Sequence, residues 1–198
     1  MIMRQRTAKV EETDARKKFS RFKKEEPKAV KELKKVGETE TLREIRKLCE
    51  YMNATLDADL GYVEEKLDLL AYTADDVEKF SIMMKELEGP DDRLVALSGF
   101  MQDLVYRCND DNFVIHTSHL RWPISFTIIG HEKTVTVMGD LIAAGDGMDG
   151  GKIIVNGDVG VVGEGMTNGE IHIEGEYGGG GNVVSGRIYH KGELVVDK

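Results

Sequence analysis

Apolar residues along this chain follow two rhythms. Between residues 41 and 108 they recur at helical spacing. From residue 134 onward they alternate with polar residues and are punctuated by glycine. In the first stretch Leu42, Cys49, Leu56, Val63 and Leu70 recur every seven residues, and Ile45, Met52, Leu60 and Leu67 fill the turns between them. That is a seam of coiled-coil type over about four heptads. Thr41 followed by Glu44 reads as a capping box opening this long helix, and Gly61, costing about 1 kcal/mol against alanine, is the expected place for a kink. Thr73 and Asp76 open a second helix with Val77, Phe80, Met84 and Leu87 on one face, and Gly89-Pro90 closes it. A third, from about Asp91 to Cys108, turns Leu94, Leu97, Met101, Leu104 and Val105 inward. The expectation is a small antiparallel helical bundle.

The second rhythm is a repeat. Written from Thr134, the units are TVTVMGDLIAAGDGMDGG, KIIVNGDVGVVGEGMTNG, EIHIEGEYGGGGNVVSG and a truncated RIYHKGELVVDK, so the period is 18 with one residue missing from the third unit. Gly139, Gly157, Gly175 and Gly192 align, as do Met148 with Met166 and Gly151 with Gly169 and Gly186. A short fixed period with a strand in each unit means stacked coils. Val135, Ile153, Ile171 and Ile188 form one inward column, Val137, Val155 and Ile173 a second, and Leu141, Val159, Tyr177 and Leu194 a third. Glycine serves the corners, where the chain takes positive φ.

Two outward columns carry charge. Thr134, Lys152, Glu170 and Arg187 alternate in sign after the first, which predicts a ladder of charge pairs. Asp140, Asp158, Glu176 and Glu193 place four carboxylates in one column at a strand spacing of about 4.8 Å. Carboxylates so close raise one another's pKa or attract a cation, which makes them candidate metal ligands. The expected arrangement is a solvated ladder in which each carboxylate accepts backbone N–H groups at its turn.

The stretch Gly157–Gly175, GDVGVVGEGMTNGEIHIEG, resembles the GXGXG-repeat family in Gly157, Gly160, Gly163, Gly165-Met166, Gly169, Ile171, Ile173 and Gly175. That family includes the C-terminal domain of the glutamate synthase large subunit and the C subunit of formylmethanofuran dehydrogenase. The resemblance covers residues 124–198. It implies a right-handed parallel β-helix that places other domains or subunits and is not itself the reacting centre.

Charge divides the chain as sharply as glycine does. Residues 1–50 carry a net +6 and residues 51–198 a net −15; only four of the 22 glycines precede residue 130. The basic part, Arg16-Lys17-Lys18, Arg21, Lys23-Lys24, Lys31 and Lys34-Lys35 with Phe19 and Phe22 interleaved, is diluted by Glu11, Glu12, Glu25, Glu26 and Glu32. It therefore reads as a helical arm that is solvated or docks on acidic protein surface; nucleic acid is not the expected partner. No apolar run reaches the roughly 18 residues of a membrane helix, and MIMRQRTAKV lacks the apolar core of a secretory signal. With only Cys49 and Cys108, no disulfide framework is present and a reducing, cytoplasmic setting is expected.

Specific chemistry finds little support. A dinucleotide loop needs a helix after its glycines, whereas here each cluster is followed by a strand. Calcium β-rolls repeat their ligands every nine residues, and Asp146 and Asp149 do not repeat that way. Cys108, His116 and His119, with His131 as a fourth, are a conceivable zinc set, set against the simpler reading of a buried cysteine and linker histidines. No nucleophile elbow or triad is evident, and no cofactor is called for. The expected architecture is α+β: a basic arm over 1–40, a helical hairpin or bundle over 41–110, and a β-helix over 111–198. The expected function is non-catalytic: assembly into a homo-oligomer through the seam (Leu42, Cys49, Leu56, Val63, Leu67, Leu70) and the open ends of the β-helix. The alternative is an accessory subunit within a larger redox complex, as the resemblance implies.

Overall fold

A computed structural model of the chain describes residues 38–54, 60–88, 94–127, 130 and 132–198. The basic residues 4–35, Leu56, Gly89-Pro90 and His131 lie outside the described residues, as does the side chain of Leu94. Among the described residues four helices come first: α1 Glu40–Ala54, α2 Leu60–Leu69, α3 Ala74–Leu87 and α4 Leu94–Arg107. α1 is capped two residues earlier than Thr41. Thr39 Oγ1 accepts the Leu42 N–H at 3.2 Å, because a cap must precede the first helical residue and Thr41 already lies inside the helix. α3 opens with the expected box, in which Thr73 and Asp76 each satisfy the other's backbone N–H.

The heptad positions are used inside the chain. Leu42, Cys49, Val63 and Leu67 are buried in one core with Val77, Phe80 and Met84 of α3 and Leu97, Met101, Leu104 and Val105 of α4. Met52 and Leu70 pack on it half-buried, Leu60 is exposed, and Gly61 lies within α2 rather than at a break. A seven-residue repeat is therefore filled here by neighbouring helices of the same chain, since burial is indifferent to whether the covering helix is its own or another's.

Nine strands follow among the described residues: β1 Asn112–His116, β2 Ile124–Phe126, β3 Thr134–Met138, β4 Leu141–Ala144, β5 Asp149–Val155, β6 Val159–Val162, β7 Asn168–Ile173, β8 Arg187–His190 and β9 Glu193–Asp197. The chain alternates between two sheets. One has the order β1-β3-β5-β7-β8-β9; the other is β2-β4-β6, continued by single bridges from Val159 to Tyr177 and from Val162 to Gly180. All pairings are parallel except β8 with β9. The result is a parallel β-solenoid of about four turns.

Its register is the one the columns predict. Val135 pairs with Ile153, Ile153 with Ile171 and Ile171 with Ile188; Val137 continues through Val155 to Ile173. All are buried, and their core is continuous with that of the helices. A first turn, β1–β2, lies within the expected span 111–198 ahead of the repeat and adds Phe113, Ile115, Ile124 and Phe126 to the inward columns. One feature differs from expectation. The last unit does not complete a turn. Lys191 and Gly192, both at positive φ, reverse the chain as a two-residue hairpin requires, and β9 returns antiparallel along β8. Leu194 consequently leaves the inward column and is exposed.

The helices close the first end. A solenoid end exposes unpaired strand groups, and here helix side chains meet them. The Ser81 hydroxyl on α3 accepts the His116 N–H at 2.9 Å, and the Ser98 hydroxyl on α4 accepts the Ser125 N–H at 3.3 Å.

Candidate functional site

Three places in the fold could carry chemistry, and the carboxylate column is the first. Asp140, Asp158 and Glu176 stand at successive corners after β3, β5 and β7. Glu193 does not join them, because it opens the reversed β9 opposite His190. The column is tied to the backbone. Asp140 Oδ1 accepts the Asp158 N–H at 3.1 Å, and Asp158 Oδ1 accepts the Glu176 N–H at 2.9 Å, each from a residue 18 positions further on. The last member, Glu176, accepts from Lys191 Nζ, which holds its carboxyl below the usual range. At the same corner the chain stacks unusually tightly: a Cβ on Gly157 would lie 2.2 Å from the Gly139 carbonyl oxygen. These carboxylates therefore stitch one turn to the next, as hydrogen-bonded charged acceptors do elsewhere.

The second place is the charge ladder on the outer face of the larger sheet. Thr134, Lys152, Glu170 and Arg187 are in register. Glu170 sits between Arg187 at 2.7 Å and Lys152 at 3.7 Å, with His172 Nε2 at 3.2 Å. The His172 hydrogen bond, then the two cations, hold the Glu170 carboxyl below the usual range. His172 in turn stacks on Tyr189, ring centroids 4.4 Å apart.

The third is the cysteine–histidine set. Cys108 Sγ donates to the Tyr72 carbonyl at 3.6 Å, and burial pushes its thiol up. His116 is buried, with Nε2 3.0 Å from Glu78 Oε1. Among the described residues no group of three His, Cys, Asp or Glu side chains is placed to hold a metal ion. Cys49 is buried in the helical core, and its thiol is pushed up to about 12 by desolvation, which makes it an inert filler and not a nucleophile.

Apolar surface also remains outside the core in several places. In the last part of the solenoid Val184, Leu194 and Val195 are exposed. On the outer face of the smaller sheet Ile142 and Val161 are exposed, and on the helices Tyr51, Leu60, Tyr62 and Leu69. No described helix is long and apolar enough to cross a membrane. Comparisons with protein-family models, curated proteins and solved structures find no match to this chain.

Proposed function

We propose that this chain is a structural assembly protein, a right-handed solenoid of the GXGXG type with 18-residue turns, which associates with further copies of itself through the end of the solenoid remote from the helices. The observation that carries this reading is the unequal finish of the two ends. The first turn is roofed by α3 and α4, with strand N–H groups received by Ser81 and Ser98. Among the described residues the last turn has no such roof, and Val184, Leu194 and Val195 in its final segments are 62%, 48% and 43% exposed. Exposed apolar groups collected at one end of a rigid stack are the kind of surface that oligomers bury. A bulge between Ile188 and Tyr189 in the β8–β9 pairing interrupts the edge. Such a bulge discourages continuation of the sheet into a neighbour, so the contact is one of side chains and not of added strands.

Light scattering on the full chain tests this. The wild type is expected at a multiple of 22.1 kDa, and Val184→Lys with Leu194→Lys at 22.1 kDa with an unchanged far-UV spectrum. A wild-type mass of 22.1 kDa at micromolar concentration refutes the proposal.

A further inference from the structure

Two asparagines in the chain are followed directly by glycine, in Asn156-Gly157 and Asn168-Gly169. In such a pair the glycine has no side chain to shield its main-chain nitrogen from the amide carbon of the asparagine. Asn156 directly follows β5 and Asn168 opens β7, and both are exposed to water. The fold treats the two side chains differently.

Asn156 reaches to the preceding turn. Its Nδ2 donates to Met138 Sδ at 3.2 Å, and its own N–H donates to the Val137 carbonyl at 2.8 Å. Asn168 instead lies over its neighbour: its Oδ1 accepts the Gly169 N–H at 2.8 Å. A carbonyl bond of about 1.23 Å then keeps Asn168 Cγ within about 4 Å of the Gly169 nitrogen, close to the separation of about 3–3.5 Å at which reacting atoms meet. The same hydrogen bond polarises the amide carbonyl. The main chain holds the pair in place. The Thr167 and Asn168 N–H groups both donate to the Met148 carbonyl, at 2.8 and 3.3 Å. Gly169 takes φ +103°, a conformation that side-chain-bearing residues rarely adopt.

We propose that Asn168 is a site of spontaneous deamidation by attack of the Gly169 nitrogen on Asn168 Cγ, and that the fold selects it over Asn156. The N–Cγ bond forms as the Gly169 N–H proton passes to water. The Cγ–Nδ2 bond breaks, and Nδ2 leaves with a proton as ammonia, which closes a five-membered imide. Water then opens the ring. Cleavage at Cγ leaves aspartate at position 168; cleavage at the main-chain carbonyl leaves isoaspartate, with one more carbon in the main chain. One water enters and one ammonia leaves, with no change of oxidation state. Either product puts a new carboxylate in register with Asp149 on β5, and like charges on paired strands repel. This chemistry goes beyond the assembly reading and is independent of it, because it needs only one chain and water.

The test is incubation of the full chain in warm, mildly alkaline ¹⁸O water, folded and unfolded in guanidinium chloride, followed by peptide mapping by mass spectrometry. The ratio of conversion at 168 to conversion at 156 is expected to be at least about tenfold higher in the folded chain than in the unfolded one. A ratio that folding leaves unchanged or lowers overturns the proposal, as does an Asn168 that stays intact in the folded chain. Asn168→Gln supplies the second measurement, since its longer side chain would have to close a six-membered ring. That variant is expected to lose conversion at 168 and keep the wild-type rate at 156. Undiminished conversion at 168 would mean direct hydrolysis by water and would overturn the attack by Gly169.

Discussion

Replacing Gly157 with alanine tests how tightly the solenoid turns are stacked. The new Cβ would lie 2.2 Å from the Gly139 carbonyl oxygen, 2.4 Å from its carbonyl carbon and 2.9 Å from the Asp140 nitrogen. All three are backbone atoms of the preceding turn, so no rotamer change relieves the clash. The two turns must separate at this corner by about 1 Å out of a strand spacing of about 4.8 Å. The hydrogen bonds there are Asp158 N–H to Asp140 Oδ1 at 3.1 Å, Leu141 N–H to the Asp158 carbonyl at 2.9 Å and Asn156 N–H to the Val137 carbonyl at 2.8 Å. Overpacking against a rigid neighbour costs about 3 kcal/mol, and loss of one of these bonds adds about 1 kcal/mol. The lower entropy of an unfolded alanine returns up to about 1 kcal/mol. The net is a loss of about 3 kcal/mol, which for a chain of this size lowers Tm by roughly 6–12 °C. Gly179→Ala is the control, since a Cβ there meets nothing within 4 Å. Thermal melts by circular dichroism should show a large fall for Gly157→Ala and none for Gly179→Ala. A Gly157→Ala melt within about 2 °C of the wild type, or equal falls in both variants, would refute the stacking account.

Two further outcomes follow from the same geometry. Ser81 is fully buried, donates to the Glu78 carbonyl at 2.6 Å and accepts the His116 N–H at 2.9 Å. Ser81→Ala leaves that strand N–H unmet and should cost about 2 kcal/mol in urea unfolding, with no loss if water takes the place of the hydroxyl. Glu170→Gln should be less stable than the wild type by up to about 1 kcal/mol at neutral pH. The folded carboxyl titrates below its ordinary value of about 4.3. Its contribution is therefore present above that value and lost as pH falls through the lower, folded one. The gap between the two proteins should accordingly close in acid, and a gap constant from pH 7 to pH 3 would contradict the ladder.

How much of this was legible beforehand varies by element. The Thr73–Asp76 box and the columns through Val135 and Val137 were readable, because capping and strand alternation are written within a few residues. The carboxylate column was readable as far as Glu176. Glu193 and Leu194 fell out of their columns because Lys191-Gly192 permits a hairpin at the point where the earlier units continue into a turn. The expected span 111–198 includes the first turn, but its inward columns were not readable because Phe113 pairs with Val135 across a longer, glycine-poor connection that breaks the period.

From β3 to β8 the sequence alone determined which residues of the solenoid face inward and how its turns are registered. Side-chain direction alternates strictly along a strand, and a one-residue slip would turn every valine and isoleucine outward. The tertiary structure decided what lies against what. A heptad seam states that a stripe must be covered without naming the cover, and here α3 and α4 cover it. A strand edge likewise demands partners without specifying them. Ser81 and Ser98 meet that demand at one end, and nothing comparable stands over Val184, Leu194 and Val195 among the described residues at the other. Contacts between segments far apart in the chain leave no local period to read, so only the folded structure fixes them.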